Sequence, residues 1–205
     1  MKINDIKLLS NDLHRYRTHA IEQTLPSDGF VLEIGPNVTA LEYEKNKCTV
    51  ISLDINPNVP SDVLGNTEYI PFNDSVFDFI IATEIIEHVR YPKRMLNEIC
   101  RVGKKYGHVL LSTPNVAHLT NRFGMLFFGD FYDDRCLHDT TDVGHIHFFS
   151  RKYFITIVKE QNLIIEKEWN HFIPITSKHY IDSNLWSRLF KNLTKQTVLM
   201  CRINK

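Results

Sequence analysis

Short apolar runs of strand length recur along this chain, separated by helical stretches and tight turns. Phe30-Val31-Leu32 leads into Glu33-Ile34-Gly35-Pro36-Asn37, and the β-branched run from Cys48 to Leu53 closes at Asp54. Phe77 to Thr83, His108 to Thr113, Leu163 to Ile165 and Thr197 to Ile203 read as further strands. Between them lie residues with helical spacing: Ile6, Leu9, Leu13, Tyr16, Ala20, Ile21 and Leu25 over 4–25, then Met95, Leu96, Ile99 and Val102 over 91–102, then 151–161. Residues 38–45 have room for one or two helical turns, and Gly103 to Gly107 reads as a turn. Strands alternating with helices predict an α/β fold. The expected architecture is an α/β sandwich with a mostly parallel sheet.

A chain of 205 residues suits one domain, and 43% hydrophobic with 23% charged residues suits a globular core rather than disorder or a disulfide miniprotein. The expected organisation is an N-terminal helix over 1–28, a cofactor-binding half over 29–115, an acceptor-side insert or lid over 116–149, and a C-terminal helix with strands over 150–205. Lysine plus arginine number 24 and aspartate plus glutamate 24, a balance that disfavours nucleic acid as a partner. No apolar run reaches the ~20 residues of a membrane span, and no signal-peptide core opens the chain. The four cysteines show no CxxC and no zinc spacing, so reduced thiols and a cytoplasmic location are expected. The chain is expected to be a monomer or a homodimer.

In a doubly wound sheet the ligand lies beyond the carboxyl ends of the strands, at the switch point. The first strand leaves through Glu33, Gly35, Pro36 and Asn37, and the second ends in Asp54, 21 residues after Glu33. An acid at that spacing suits a ribose diol, with a turn cap as its competing role. A dinucleotide site needs G-x-G-x-x-G/A, so that backbone amides can approach a pyrophosphate. Here Asn37 replaces the middle glycine, and Glu33 would set negative charge beside the phosphates. Both departures suit a cofactor without phosphate, such as S-adenosylmethionine, whose ammonium Glu33 can favour.

With these residues the chain resembles a class I S-adenosylmethionine-dependent methyltransferase, close to the small type 11 group that includes ubiquinone-type O-methyltransferases. The resemblance spans about residues 30–165, and it implies a Rossmann-like doubly wound sheet of seven strands, mostly parallel with an antiparallel last strand, and helices on both faces. It rests on Glu33 to Asn37, on Ile70-Pro71-Phe72-Asn73-Asp74-Ser75-Val76-Phe77-Asp78 and on Thr83-Glu84-Ile85-Ile86-Glu87-His88-Val89. It rests also on Leu96 to Val102 and on Ser112-Thr113-Pro114-Asn115. The resemblance implies S-adenosyl-L-methionine as cofactor, with Glu33, Gly35, Pro36 and Asn37 at its methionine end and Asp54 on the ribose. It places Ile55 on the adenine, and Asn66, beside Thr67, where an aspartate usually meets the adenine amino group. Thr83 and Glu84 stand where the fourth strand touches the cofactor. Asn37 and Thr39 depart from the usual glycines. Asp74 and Asp78 read as structural residues. Glu84, Glu87 and His88 would share a face if helical. Resemblance to some ubiquinone-type members permits a divalent ion there, but packing is the favoured reading and no metal is expected.

The stretch over 116–149 reads as the acceptor side. It holds six of the thirteen phenylalanines (Phe123, Phe127, Phe128, Phe131, Phe148, Phe149) and four of the ten histidines (His118, His138, His145, His147). The order Phe128-Gly129-Asp130-Phe131-Tyr132, then Asp142, then Gly144-His145-Ile146-His147-Phe148-Phe149-Ser150, resembles methyltransferases of cell-surface sugar and secondary-metabolite clusters. The resemblance makes His145 the candidate base or acceptor-orienting residue, with Asp139 and Asp142 behind it and His88 as a further candidate. For the phenylalanines, core packing is the competing role. The expected reaction is methyl transfer to a hydroxyl oxygen of a sugar or envelope-glycan precursor. A cofactor-binding module without catalysis and a nicotinamide oxidoreductase are the alternatives.

The neutral total hides a gradient. Residues 31–90 carry three basic and ten acidic groups, net −7, whereas 151–205 carry ten and four, net +6. An acidic cofactor half suits a sulfonium and an ammonium, and a basic C-terminal segment favours an anionic small-molecule acceptor.

Overall fold

The structure is a computed structural model, and it describes residues 19–36, 48–130, 144–171 and 190–205. Seven strands form one sheet in the order β3-β2-β1-β4-β5-β7-β6. They are β1 (Phe30–Ile34), β2 (Thr49–Asp54), β3 (Val63–Leu64), β4 (Phe77–Thr83), β5 (Gly103–Pro114), β6 (Leu163–His171) and β7 (Gln196–Ile203). β7 runs antiparallel to both its neighbours, and every other adjacent pair is parallel. The expected Rossmann-like sheet is therefore present, antiparallel last strand included. From β1 the chain winds outward through β2 and β3 and then crosses back to β4, so the switch point lies between β1 and β4.

The described helices are α1 (Pro92–Val102), α2 (Leu119–Phe128) and α3 (Arg151–Lys159), with residues 19–24 also helical. Met95, Leu96 and Ile99 of α1 and Phe154, Ile157 and Val158 of α3 pack on one face of the sheet, against Leu32, Ile80 and Leu111. Ala20 and Ile21 pack on the opposite face, against Val31, Phe79 and Leu110. Alternate residues of the buried strands thus face different helical layers, and both faces are covered. α1 starts with Pro92 in its first turn, where the missing N–H costs no hydrogen bond. α3 starts at Ser150, whose hydroxyl accepts the Tyr153 N–H.

Two local expectations need correction. Gly103 to Gly107 is the irregular start of β5: the register with β4 slips between Phe77 and Phe79, and Tyr106 has φ 64°. The sheet extends into the segment because Phe77 already pairs with Gly103. Residues 84–88 form a turn, because Glu84 leaves β4 at φ 59° and breaks any helix at its first residue. Residues 38–45 and the helix start at 4–18 lie outside the described residues.

Candidate functional site

Parallel strands bring their carboxyl ends to one edge. Ile34 is level with Leu53, Asp54 with Leu64, and Thr83 with Ser112. That register lines up Gly35, Asp54, Asn66 and Glu84 along the edge. Gly35 turns away from β1 at φ 66°, and its N–H donates to the Leu53 carbonyl at 2.8 Å. A Cβ there would lie 2.1 Å from Ile85 Cδ1, so glycine is required twice over, by conformation and by space. Asp54 Oδ1 accepts the Asn56 N–H at 2.7 Å, which orients the carboxylate. Among the described residues no hydrogen bond engages its Oδ2. Ile55 beside it is 65% exposed, an apolar side chain open to stack on a ligand. Asn66 Oδ1 accepts the Glu68 N–H at 2.8 Å, leaving one carbonyl lone pair for a ligand. Thr67 is buried next to it, and Glu33 is buried in β1.

The loop that carries Asn66 and Thr67 is held from below. The Arg101 guanidinium, on α1, donates to both Glu98 oxygens at 2.8 Å, to Asp74 Oδ1 at 2.8 Å and to the Phe72 and Ile70 carbonyls at 2.8 Å. Glu98 Oε2 returns to the same loop by accepting the Ile70 N–H at 2.9 Å. The guanidinium beside it holds the Glu98 carboxyl below its ordinary value. Glu68 adds a second tie, accepting the Tyr91 N–H at 2.9 Å. Asp78 is structural in the same sense: it accepts from Phe30 N–H at 2.9 Å and from Lys104 at 2.8 Å. Partial burial pushes its carboxyl up, and those donors outweigh the effect and leave it below its ordinary value.

On the far side of the switch point the edge is a buried polar layer. Glu84 Oε1 accepts from Ser112 Oγ and from Gln196 Nε2, each at 2.8 Å, and its backbone N–H donates to the Ser112 carbonyl at 3.1 Å. A positive φ in a non-glycine residue costs on the order of 1–3 kcal/mol and persists only where its surroundings over-determine it. β7 is antiparallel, so its first residue, Gln196, reaches the edge where β4 and β5 end. Asn115 ties the layer together. Its amide donates to the Thr194 carbonyl at 2.7 Å, and its carbonyl accepts the Ala117 and Arg151 N–H groups at 3.1 Å.

His145 enters this layer from residues 144–150. The Ile146 and His147 N–H groups donate to the Glu87 carbonyl at 3.0 and 3.1 Å, which docks the segment on the 84–88 turn. His145 Nε2 then lies 3.9 Å from Glu87 Oε1, both side chains being almost wholly buried. Thr113 Oγ1 donates to Glu87 Oε2 at 3.1 Å, and the His88 ring meets the His145 ring edge-on at 4.8 Å between centroids. Glu87, His88 and His145 each present a ligand-type atom, and all three atoms lie within 4.8 Å of one another. Phe149, just beyond, packs in the core, whereas Phe123, Phe127, Phe128 and Phe148 are exposed.

Glu33, Gly35, Pro36, Asp54, Ile55, Asn66, Thr67, Thr83 and Glu84 are thus carried by β1, β2 and β4 or by the loops that follow β1, β2, β3 and β4. His88 and His145 form a separate pair beside Glu87. Asn37, Asp139 and Asp142 lie outside the described residues, as do Thr39, Phe131 and His138. Sequence reasoning did not single out Gln196, Ser112 and Thr113 as site residues, and for Glu87 it weighed a divalent ion shared with Glu84 and His88 but favoured packing. The available signal was their place at the ends of β5 and β7, next to the Thr-Pro-Asn run.

A family model described as a methyltransferase domain matches residues 7–168. A curated relative, an uncharacterised protein of Methanocaldococcus jannaschii, is 26% identical over 92% of this chain and 87% of its own length. Among solved structures, a SAM-dependent methyltransferase of Methanosarcina mazei superposes with a TM-score of 0.60 at 17% identity, over 90% of this chain and 97% of that one. An S-adenosylmethionine-dependent methyltransferase of Mesorhizobium loti gives 0.57 at 12% identity, over 89% and 95%. The [4+2]-cyclase SpnF gives 0.63 at 13% identity, over 93% and 81%.

Proposed function

The chain belongs to the methyltransferase-domain family, an S-adenosylmethionine-dependent group, and from that premise we propose that it methylates a hydroxyl oxygen of a small anionic acceptor of sugar or envelope-glycan type. The observation that carries the reading is the buried cluster of Glu87, His88 and His145 next to Glu84, at the end of β4 where the cofactor edge meets the polar layer. The donor set of the edge fits the cofactor. Asp54 keeps an oxygen for the ribose diol, Ile55 offers an apolar face to the adenine, and Glu33 and Glu84 supply negative charge for an ammonium and a sulfonium. We assign Gly35, Pro36 and Asn37 to the methionine end, Asn66 and Thr67 to the adenine, and Thr83 to the strand end that would meet the cofactor.

Methyl transfer is an in-line displacement. A bond forms between the acceptor oxygen and the methyl carbon while the carbon–sulfur bond breaks, and its electron pair leaves on a neutral thioether sulfur. The reaction consumes positive charge, so most of what the protein supplies is orientation and exclusion of water. The hydroxyl must also lose its proton, which a group within hydrogen-bond reach can draw off. Holding the hydroxyl and drawing off that proton fall to His145, with His88 beside it and Asp142 as the further candidate of the sequence. The net +6 of residues 151–205 supports an anionic acceptor, such as a phosphorylated or nucleotide-linked sugar. A monomer or homodimer in the cytoplasm fits this reading, and among the described residues no helix is long and apolar enough to cross a membrane.

The test is radiolabelled methyl transfer from S-adenosylmethionine into a panel of phosphorylated and nucleotide-linked sugars, with neutral sugars and free amines as contrast. Base-stable label in an anionic sugar, lost in His145→Ala, is the expected result. Label entering only amines, or equal turnover by His145→Ala, overturns it.

A further inference from the structure

We propose that Arg90 and Arg94, held over the rings of Tyr69 and Tyr91, bind a phosphoryl group of the acceptor. Six arginines fall within the described residues, and four of them are met inside the chain. Arg101, Arg151 and Arg202 pair with carboxylates, and Arg122 donates to the Ala117 and Asn192 carbonyls. Arg90 and Arg94 differ. The Arg90 guanidinium lies 5.5 Å from the Tyr91 ring centroid, and that of Arg94 lies 5.1 Å from the centroids of both Tyr69 and Tyr91. Arg94 also donates to the Tyr69 hydroxyl. Among the described residues neither guanidinium forms an ion pair, and no side-chain hydrogen bond engages Arg90. All four side chains are exposed, and Lys93 beside them is taken by Glu160 at 2.6 Å.

A ring restrains a guanidinium without using up the N–H fork that matches an oxyanion, so the pair is positioned while its charge stays uncompensated. Two such cations on one tyrosine repel each other, and an anion beside both relieves that cost. Glu68 fixes their base by accepting the Tyr91 N–H at 2.9 Å. α1 begins here with no acid in its first turn, so its N-terminal dipole adds to the positive field. Two cations suit a dianion, which a phosphate ester supplies and a single carboxylate does not; phosphate oxygens also take the fork bidentately. The pair sits on the rim between the two halves of the site. Tyr69 follows Asn66 and Thr67 in the loop after β3, and Arg90 follows His88 by two residues, about 7 Å of extended chain. His147 Nε2 lies 3.3 Å from the Arg90 carbonyl, which joins the rim to the segment that carries His145. S-adenosylmethionine has no phosphate, so the cofactor makes no demand on this pair. Phosphate binding stands without any methyl transfer. Its assignment to the acceptor rests on the proposed function, and it narrows the acceptor from anionic sugars to phosphorylated ones.

The experiment titrates inorganic phosphate, pyrophosphate and acetate into the full chain at low salt, without cofactor, by calorimetry and by the NMR signals of the arginine Nε–H groups. The expected result is saturable binding of phosphate and pyrophosphate, with acetate far weaker. Arg90→Gln and Arg94→Gln should each weaken pyrophosphate by about 10–100-fold, the scale of a lost hydrogen bond to a charged group. Arg90→Lys should recover only part, because it restores the charge and not the fork. Arg202→Gln removes the same charge from the Glu166 pair and should leave the affinity unchanged. Circular dichroism checks each variant, and Arg90, which touches only a ring, serves if Arg94→Gln weakens the fold. With a phosphorylated sugar as substrate, Arg90→Gln should raise KM and hold kcat, and with a neutral sugar it should move neither. Absence of saturable phosphate binding overturns the proposal, and so does an equal loss in Arg202→Gln. Methylation of a phosphorylated sugar with KM unmoved by Arg90→Gln also overturns it and keeps the methyltransferase reading. Phosphate binding lost in both glutamine variants, with no sugar methylated, keeps the anion site and fails the proposed function.

Discussion

Along one edge of the sheet, two regions hold their polar groups by different means. At the ends of β2 and β3 the side-chain partner is a neighbour in sequence: Asp54 accepts from Asn56 two residues on, and Asn66 from Glu68. At β4, β5 and β7 the partner is remote: Ser112 lies 28 positions from Glu84, and Gln196 lies 112. The first region keeps side chains such as Asp54 and Ile55 accessible. The second buries Glu87, Ser112, Thr113, Asn115 and Gln196 in a dry layer, where an unsatisfied polar group costs about 1–3 kcal/mol. On the proposed function, the exposed, locally held groups would meet the cofactor, and the rigid ones would orient the acceptor against one carbon atom.

The sharpest way to break this comparison is to set Asp54→Ala beside His145→Ala. Asp54→Ala should weaken S-adenosylmethionine by about 100-fold or more, since two charge-assisted hydrogen bonds of about 1.5–3 kcal/mol each are at stake, with only a small fall in melting temperature from the lost Asn56 contact. His145→Ala should bind the cofactor within a few fold and lose turnover. Calorimetry and transfer assays read the pair, and a reversal of the two outcomes would merge the regions.

Next is the clamp. Arg101→Ala leaves Glu98 half-buried without its guanidinium and should cost about 2–3 kcal/mol, read as the urea midpoint. Arg101→Lys should recover little, because one ammonium replaces a planar fork that reaches a carboxylate and two carbonyls at once.

Gly35→Ala should cost about 1–2 kcal/mol from its positive φ, with a further penalty from the Ile85 contact. Adding Ile85→Ala should remove the contact penalty and leave the conformational one, a coupling that a double-mutant cycle measures.

The smallest effect is acidic. Burial pushes the Glu168 carboxyl up, but hydrogen bonds from Arg151 and Asn170 outweigh it and leave the folded-state value below the ordinary one. A depressed carboxylate contributes stability that is full above its unfolded value and is lost as pH falls through the folded one. Glu168→Gln should therefore flatten the stability-against-pH curve below about pH 4.5, close to the unfolded glutamate value, and change little at pH 7. An unchanged acid limb would show that the outer end of the polar layer is not held by this ion pair.

Six of the seven strands and the acids of β1 and β2 were legible because each depends on a short window: a run of apolar residues, a turn residue, a fixed step to an aspartate; the two-residue β3 has no such run, and the antiparallel last strand came with the family resemblance. The specific runs at 70–78 and 96–102 were legible as a pattern but not as a clamp, since the Arg101 fork spans 27 to 31 residues to reach Asp74, Phe72 and Ile70. A helix over 84–88 was a reasonable periodic reading, and the left-handed Glu84 overrides it. That conformation is held by Ser112 and Gln196.

By itself the sequence determined the α/β class, the family and the residues proposed for the cofactor, because those follow from local periodicity and from motifs whose residues lie within a few positions of one another. Only the tertiary structure decided the other half of the site. Thr113, Gln196 and His145 meet the 84–88 turn because sheet register and a docked loop close distances of 26 to 112 residues. No window of sequence records which buried acceptor faces which donor. The cost of leaving one unpaired in a dry core is what selects that arrangement.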